Sequence, residues 1–324
     1  MNTAQAQLGA VLAAGGLRLA GLLERTEDRL AEVAGAGGPE LSGHAKGTLS
    51  AGGKRLRPIL VFLCADGDAG ERLVAAAAAV ELLHMATLVH DDVLDRAPLR
   101  RGRPTVFADG GRLAATATGD LLFSRAFAEL AATGSEEAVR TLSAASSALA
   151  AGELMQRADA WSEDVTPERY LERCRLKTAS LFEASCRLGA LFGGRPELAA
   201  ALGGFGERVG LAFQMLDDVL DVAGPAERTG KPRGADLLDG TVTLPLILAR
   251  RSDPELRALD RSLGAEQAAA ICDQIAATGA LERAREHALM HVTEAKGSLA
   301  GLDLPDSCRH ALELVADGVV RRYA

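Results

Sequence analysis

The chain has 324 residues, 48% of them hydrophobic but only 3% aromatic, and its formal net charge is −8. That length buries a sizeable core, and an Ala- and Leu-rich composition with few β-branched runs favours helix throughout. The acidic balance removes any general case for a nucleic-acid partner, so an anionic ligand has to be held by local basic clusters or by metal ions. Five cysteines (Cys64, Cys174, Cys186, Cys272 and Cys308) are scattered without CxxC spacing. They read as reduced thiols of a cytoplasmic protein, most of them small core residues. No cationic segment precedes the first apolar run, which argues against a secretory signal. No charge-free stretch of about 18 residues or more is apolar enough for a transmembrane segment, and solubility is the expectation.

Helical signals recur from end to end. An N-terminal pair of amphipathic segments runs to the break GAGGPE at Gly35–Glu40. Gly70 to Leu94 reads as one long helix that ends in the acidic cluster HDDVLD and stops before Pro98. Further helices are expected over Gly111–Ala132 and Glu136–Trp161. Thr166 and Pro167 form an N-cap and a first helical position for the next, which closes at Gly193 and Gly194. A helix from Pro196 to Val222 carries a second acidic cluster and halts at Gly224-Pro225. Gly224–Gly240, rich in Gly, Pro and charge, reads as a long surface loop. Leu244–Arg251, Glu266–Ala277, Leu281–Leu302 and Pro305–Arg322 complete the set. No strand, linker or solenoid-type repeat is found, so residues 1–324 are expected to form one all-α domain.

The pentapeptide DDVLD occurs twice, as Asp91–Asp95 and Asp217–Asp221, each time at the C-terminal end of a long apolar helix. On a helix Asp91 and Asp95 project from one face, with Asp92 about 100° round; Asp217, Asp218 and Asp221 repeat that geometry. Carboxylates there face the negative end of the helix dipole and raise one another's pKa. The arrangement costs stability unless a cation is bound. Oxygen-only donors suit Mg²⁺, which takes one or two carboxylates, keeps waters and completes its shell with phosphate oxygens. Two such helices facing each other would grip a Mg²⁺–diphosphate cluster. A di-iron bundle would need Glu-x-x-His on two helices; Glu81–His84 supplies one such pair and no second is found.

Basic residues supply the other half of a site. SAGGKRLRPIL places Lys54, Arg55 and Arg57 directly after the glycine pair Gly52 and Gly53, which lets backbone N–H groups approach an anion closely. PLRRGRPTV adds Arg100, Arg101 and Arg103 just beyond the first acidic cluster; Lys177 and Thr178 lie mid-helix, and Lys231 in the late loop. His84 precedes Asp91 by about two helical turns and shares its face, as a diphosphate donor would. His287 and His291, with no acidic cluster beside them, read as surface histidines.

In order and spacing, GGKRLRP, ELLHMATLVHDDVLD with LRRGRPTV, GDLLFSRAF, LKTASLF, FQMLDDVLD and GKPRGADLLDGTVTLP resemble the trans-isoprenyl diphosphate (polyprenyl) synthase family from Gly52 to Leu246. The resemblance implies an all-α fold of antiparallel helices around a central cavity, usually a homodimer. It implies head-to-tail 1′–4 condensation of isopentenyl diphosphate with an allylic diphosphate. By matching position, Asp91, Asp95 and Asp217 would be the main Mg²⁺ ligands, supported by Asp92, Asp218 and Asp221. Arg100, Lys177 and Lys231 would bind the allylic diphosphate, while Gly53, Lys54, Arg57, His84 and Arg101 would hold isopentenyl diphosphate. Thr178 and Gln214 would line the place where positive charge develops. One departure is Thr241, which stands where many members have Lys. The growing tail would run back along its own helix past Thr87, Ala86 and Leu83, and the small Ala86 and Thr87 imply a product longer than farnesyl diphosphate. A class I terpene cyclase and a non-catalytic subunit of a heteromeric synthase are the alternatives. The basic set argues against the first, and the completeness of both acidic clusters against the second.

Overall fold

The computed structural model of the protein describes residues 3–36, 38–50, 52–65, 70–100, 102–224, 233–257, 259 and 262–321. Helix α1 (Thr3–Gly35) is interrupted at Gly16, whose φ of 64° and ψ of −167° split it into the two segments expected from the sequence. Helices α2 (Pro39–Ser50) and α3 (Leu56–Leu63) follow, neither of them anticipated. A short run such as LRPILVFL, apolar but for Arg57, is too brief to show a period, and α3 is buried from Pro58 to Leu63. Arg55, at the N-terminus of α3, ties it to α1 and to the next helix through Glu27 and Glu81.

Helix α4 (Glu71–Leu94) bears the first acidic cluster. Among the described residues it alone is long and apolar enough to cross a membrane; here it is a core helix, buried along most of its length, with Glu81 paired to Arg55 at 2.8 Å. Strands β1 (Leu99–Arg100) and β2 (Arg103–Pro104) then pair as an antiparallel hairpin. This corrects the expectation of no strand; two residues per strand are too few for alternation to register. Helix α5 (Val106–Ala131) starts on the N-cap of Thr105, and α6 (Glu136–Ala158) on that of Ser135.

Thr166 caps α7 (Pro167–Cys174) as its sequence suggests, accepting from the Arg169 N–H. The expected single helix does not continue unbroken. Arg175–Ala179 forms a π-helical turn, in which the Ser180 N–H reaches back five residues to the Arg175 carbonyl, before α8 (Ser180–Phe192) resumes. Helix α9 (Ala199–Ala223) carries the second acidic cluster. A short helix, α10 (Ala235–Leu238), lies in the segment expected to be loop, and α11 (Leu244–Arg250), α12 (Ala265–Ala277), α13 (Ala280–Ser298) and α14 (Asp306–Arg321) complete the bundle.

Helix α4 packs along α5, α9 along α8 and α13, and α14 along α1. One hydrophobic cluster joins these faces, from Val11 to Val319. On α13, the expectation of surface histidines is corrected: His291 is half-buried, and its Nδ1 has no hydrogen-bond partner among the described residues. Burial pushes its pKa down.

Candidate active site

The C-terminal halves of α4 and α9 converge on a cavity of about 530 Å³. Asp91 and Asp95 enter it from α4, Asp217 and Asp218 from α9, and Asp236 and Asp239 from α10 and its C-terminus. Opposite charges come from Arg57 (α3), Arg100 (β1), Arg173 (α7) and Lys177 (the π turn), with His84 beside them. Leu88, Leu149, Leu181 and Phe213 supply apolar wall. Of the tail-path residues, Thr87 lines the cavity, whereas Leu83 and Ala86 are fully buried in the helix packing and do not.

The π turn is held in place from both sides. A Cβ added to Gly152 of α6 would lie 2.5 Å from the Lys177 amide nitrogen, and one added to Gly210 of α9 would lie 2.6 Å from the Ala179 Cα. Only glycine permits approaches this close. The wide turn sends Lys177 toward Glu153 and Thr178 toward Gln214. The Thr178 hydroxyl donates to Gln214 Oε1 at 2.7 Å, Gln214 Nε2 donates to Asp218 Oδ1 at 2.8 Å, and the buried Tyr170 hydroxyl donates to Asp218 Oδ2 at 2.7 Å. Asp218 is therefore anchored from two sides. Burial, reinforced by Asp236, still pushes its pKa up to about 7.

The first cluster is handled differently. Burial pushes Asp91 up to about 6; Lys177 and Arg100 work against that, while Glu153 and Asp95 add to it. Asp92 is buried and bound by Arg100 at 2.8 Å, on a second cavity of about 290 Å³ that shares His84, Leu88 and Arg100 with the first. Asp95 is paired with Arg157, which also meets Glu153 at 3.0 Å and Asp239 at 3.8 Å. Burial works against the charge of Lys177, yet Asp91 and Glu153 outweigh it and raise its pKa, keeping it cationic. Asp221 stands outside the cavity lining and accepts from the Asp236 N–H. Gly53 and Lys54 are exposed ahead of α3 and do not line the cavity; Arg101 and Lys231 lie outside the described residues.

Every carboxylate in the cavity offers only hard oxygen, and Asp91 is held ionisable at a cost that a bound cation would remove. Among the described residues no three or more His, Cys, Asp or Glu side chains stand close enough to cage an ion. Oxygen-only donors of this kind fit a metal that completes its shell with water and ligand oxygens, as Mg²⁺ does. Among the described residues Arg57 Nε is buried without a hydrogen-bond partner, and its guanidinium lies 4.6 Å from the Phe182 ring, so an anion entering there would satisfy it.

Sequence reasoning missed Tyr170, Glu153, Arg157, Arg173, Asp236 and Asp239. Three of these carry a helical signal: Glu153 and Arg157 are four apart, and Arg173 is four from Lys177, the spacing that puts two side chains on one helix face. Nothing in the sequence points Tyr170 at Asp218, a contact between separate helices.

Residues 39–278 match the sequence model of the polyprenyl synthetase family. Over 266 residues, 80% of this chain and 83% of the relative, the chain is 42% identical to heptaprenyl diphosphate synthase component 2 of Geobacillus stearothermophilus. Heptaprenyl diphosphate synthase from Staphylococcus aureus superposes with a TM-score of 0.89 at 29% identity, covering 94% of this chain and 99% of that one. A polyprenyl synthase from Caulobacter crescentus CB15, complexed with calcium and isoprenyl diphosphate, superposes with a TM-score of 0.87 at 34% identity, covering 98% of each. With this fold, this match and these relatives, the chain belongs to the polyprenyl synthetase family and is a trans-prenyl diphosphate synthase, a transferase.

Proposed function

We propose that the enzyme is Mg²⁺-dependent and lengthens an allylic diphosphate by head-to-tail 1′–4 condensation with isopentenyl diphosphate, giving an all-trans product longer than farnesyl diphosphate. The observation that carries this is the meeting of two Asp-bearing helix ends and four cationic side chains in one cavity with an apolar wall. Asp91, Asp95 and Asp217 would hold the metal, with Asp92, Asp218 and Asp221 supporting them. When bound, Mg²⁺ would supply electrostatic stabilisation of the departing diphosphate.

The chain's own groups do the rest. Lys177 and Arg100 orient the allylic diphosphate from the π turn and the hairpin, and Lys231 completes that set. Lys54, Arg57, His84 and Arg101 hold the second diphosphate, with Gly53 allowing close backbone approach. Leu88, Leu149, Leu181 and Phe213 exclude water, which would otherwise quench the allylic cation. The carbonyl oxygen of Gln214 and the hydroxyl of Thr178 face the developing positive charge, held by their mutual hydrogen bond. The allylic C–O bond breaks, the double bond of isopentenyl diphosphate forms the new C–C bond, and the proton lost goes to the released diphosphate.

Purified protein incubated with Mg²⁺, isopentenyl diphosphate and farnesyl diphosphate should yield an elongated product; none would defeat the proposal. The working assembly is proposed to be a cytoplasmic homodimer, supported by the exposed apolar side chains Leu113 and Phe123 on α5 and Leu154 on α6. The relative named component 2 favours a second possibility, a non-identical companion chain. Activity of the purified chain alone separates the two.

A further inference from the structure

Among the described residues four cationic side chains line the cavity, and they fall into two kinds. Arg100 and Lys177 are committed to carboxylates, those of Asp92 and Glu153. Arg57 and Arg173 each keep a buried guanidinium nitrogen, Nε and Nη1 respectively, that has no hydrogen-bond partner among the described residues. Guanidinium cannot shed its charge to relieve such a defect, and a buried donor left unsatisfied is rare enough to call for a ligand. Arg57 belongs to the basic set already singled out. Arg173 does not.

Arg173 is 3% exposed, and two contacts fix its head group. Nη2 donates to the Val242 carbonyl at 2.7 Å, and the guanidinium carbon lies 5.3 Å from the centre of the Tyr170 ring. Its neighbour across the cavity wall is therefore the segment that begins at Thr241, itself part of the lining and the position where resembling sequences carry Lys. Asp218, the buried carboxylate of this wall, already accepts from Tyr170 and Gln214. Arg173 lines the cavity beside Asp218, whose charge it favours, and its Nη1 has no hydrogen-bond partner among the described residues.

We propose that Arg173 supplies the cation that the Thr241 position lacks, donating from Nη1 to a diphosphate oxygen of the allylic substrate; this rests on the prenyl transfer proposed above. The charge has moved from one wall segment to the helix packed against it, and the Val242 hydrogen bond holds it there. Guanidinium held by a backbone carbonyl and a ring face presents its free N–H with little rotational freedom, which a flexible ammonium does not.

The test is binding of inorganic pyrophosphate, measured by calorimetry at saturating Mg²⁺, in wild type, Arg173→Gln and Arg173→Gln combined with Thr241→Lys. Gln carries no charge and is about two bonds too short to replace Nη2 at the Val242 carbonyl. Arg173→Gln should weaken pyrophosphate binding about tenfold or more, the loss of one charge-assisted hydrogen bond. Adding Thr241→Lys should restore most of the affinity. Wild-type affinity in Arg173→Gln, or failure of Thr241→Lys to restore it, overturns the assignment, the second outcome marking Arg173 as a brace for Val242 alone. If wild type itself binds no pyrophosphate with Mg²⁺, the proposed reaction fails along with it, and that result is distinct from the other two.

Discussion

Gly152→Ala places a single methyl group where α6 meets the π turn, and its cost can be worked from the geometry. The new Cβ would lie 2.5 Å from the Lys177 amide nitrogen and 2.8 Å from the Lys177 Cα. Both atoms are backbone, so no rotamer change relieves the clash, and α6 or the turn has to retreat by about 1 Å to reach ordinary contact. Overpacking of this kind costs about 1–3 kcal/mol, while Ala in place of Gly in a helix returns up to about 1 kcal/mol. The net loss is about 1–2 kcal/mol, a fall of a few degrees in melting temperature at about 2–4 °C per kcal/mol. Activity should suffer more. Lys177 rides on the displaced backbone, and about 1 Å of misplacement at a reacting site costs up to about a hundredfold. Gly297→Ala on α13, where a Cβ meets nothing within 4 Å, is the control and should be neutral or stabilising. Thermal melts together with kcat/KM for prenyl transfer decide the matter. A Gly152→Ala enzyme as stable and as active as wild type would show that the close approach does not position Lys177.

Tyr170→Phe removes the hydroxyl that donates to Asp218 Oδ2 and should lower stability by about 1–3 kcal/mol, the cost of leaving a buried acceptor without its donor; an unchanged melting temperature would mean that Gln214 alone anchors Asp218. His291 has its pKa pushed down by burial, so the unfolded chain takes up the proton first. The stability it protects is complete above the unfolded value of about 6.5 and is lost as pH falls below it. His291→Gln should accordingly flatten the decline in melting temperature between about pH 7 and 5, and parallel curves would refute the burial effect. Thr87→Phe, which intrudes into the cavity, should shorten the product, as read by chromatography of the hydrolysed prenols. Ala86→Phe tests something else: Ala86 is fully buried outside the cavity lining, and its enlargement should destabilise the fold by about 1–3 kcal/mol or more.

The long helices were legible because their signals are local. Thr166-Pro167 announces α7, and the apolar run ahead of Asp91 announces α4. The twin acidic clusters were legible for a different reason, since carboxylates on an apolar helix face need compensating partners, which here include Arg100, Arg157, Tyr170 and Gln214. What stayed hidden depends on contacts between elements. Helix α3 spans eight residues, with one continuous apolar run from Pro58 to Leu63, too short to show a period. The π turn depends on Gly152 and Gly210 pressing from separate helices. Arg157 spans three acids far apart in sequence, and the position of Arg173 against Val242 depends on a contact between residues far apart in the chain.

The widened turn at Arg175–Ala179 also separates two sets of obligations that one regular helix would bind together. In an uninterrupted helix, the azimuth of Tyr170 would dictate that of Phe182 and Ser185, and the buried edge of α8 would have to follow from the edge that serves Asp218. One extra residue in the turn dissolves that link. Removing a single residue there would close the turn to a regular α-helix with α8 facing as it does now, whereas the same deletion a turn further on would swing everything downstream by about 100°.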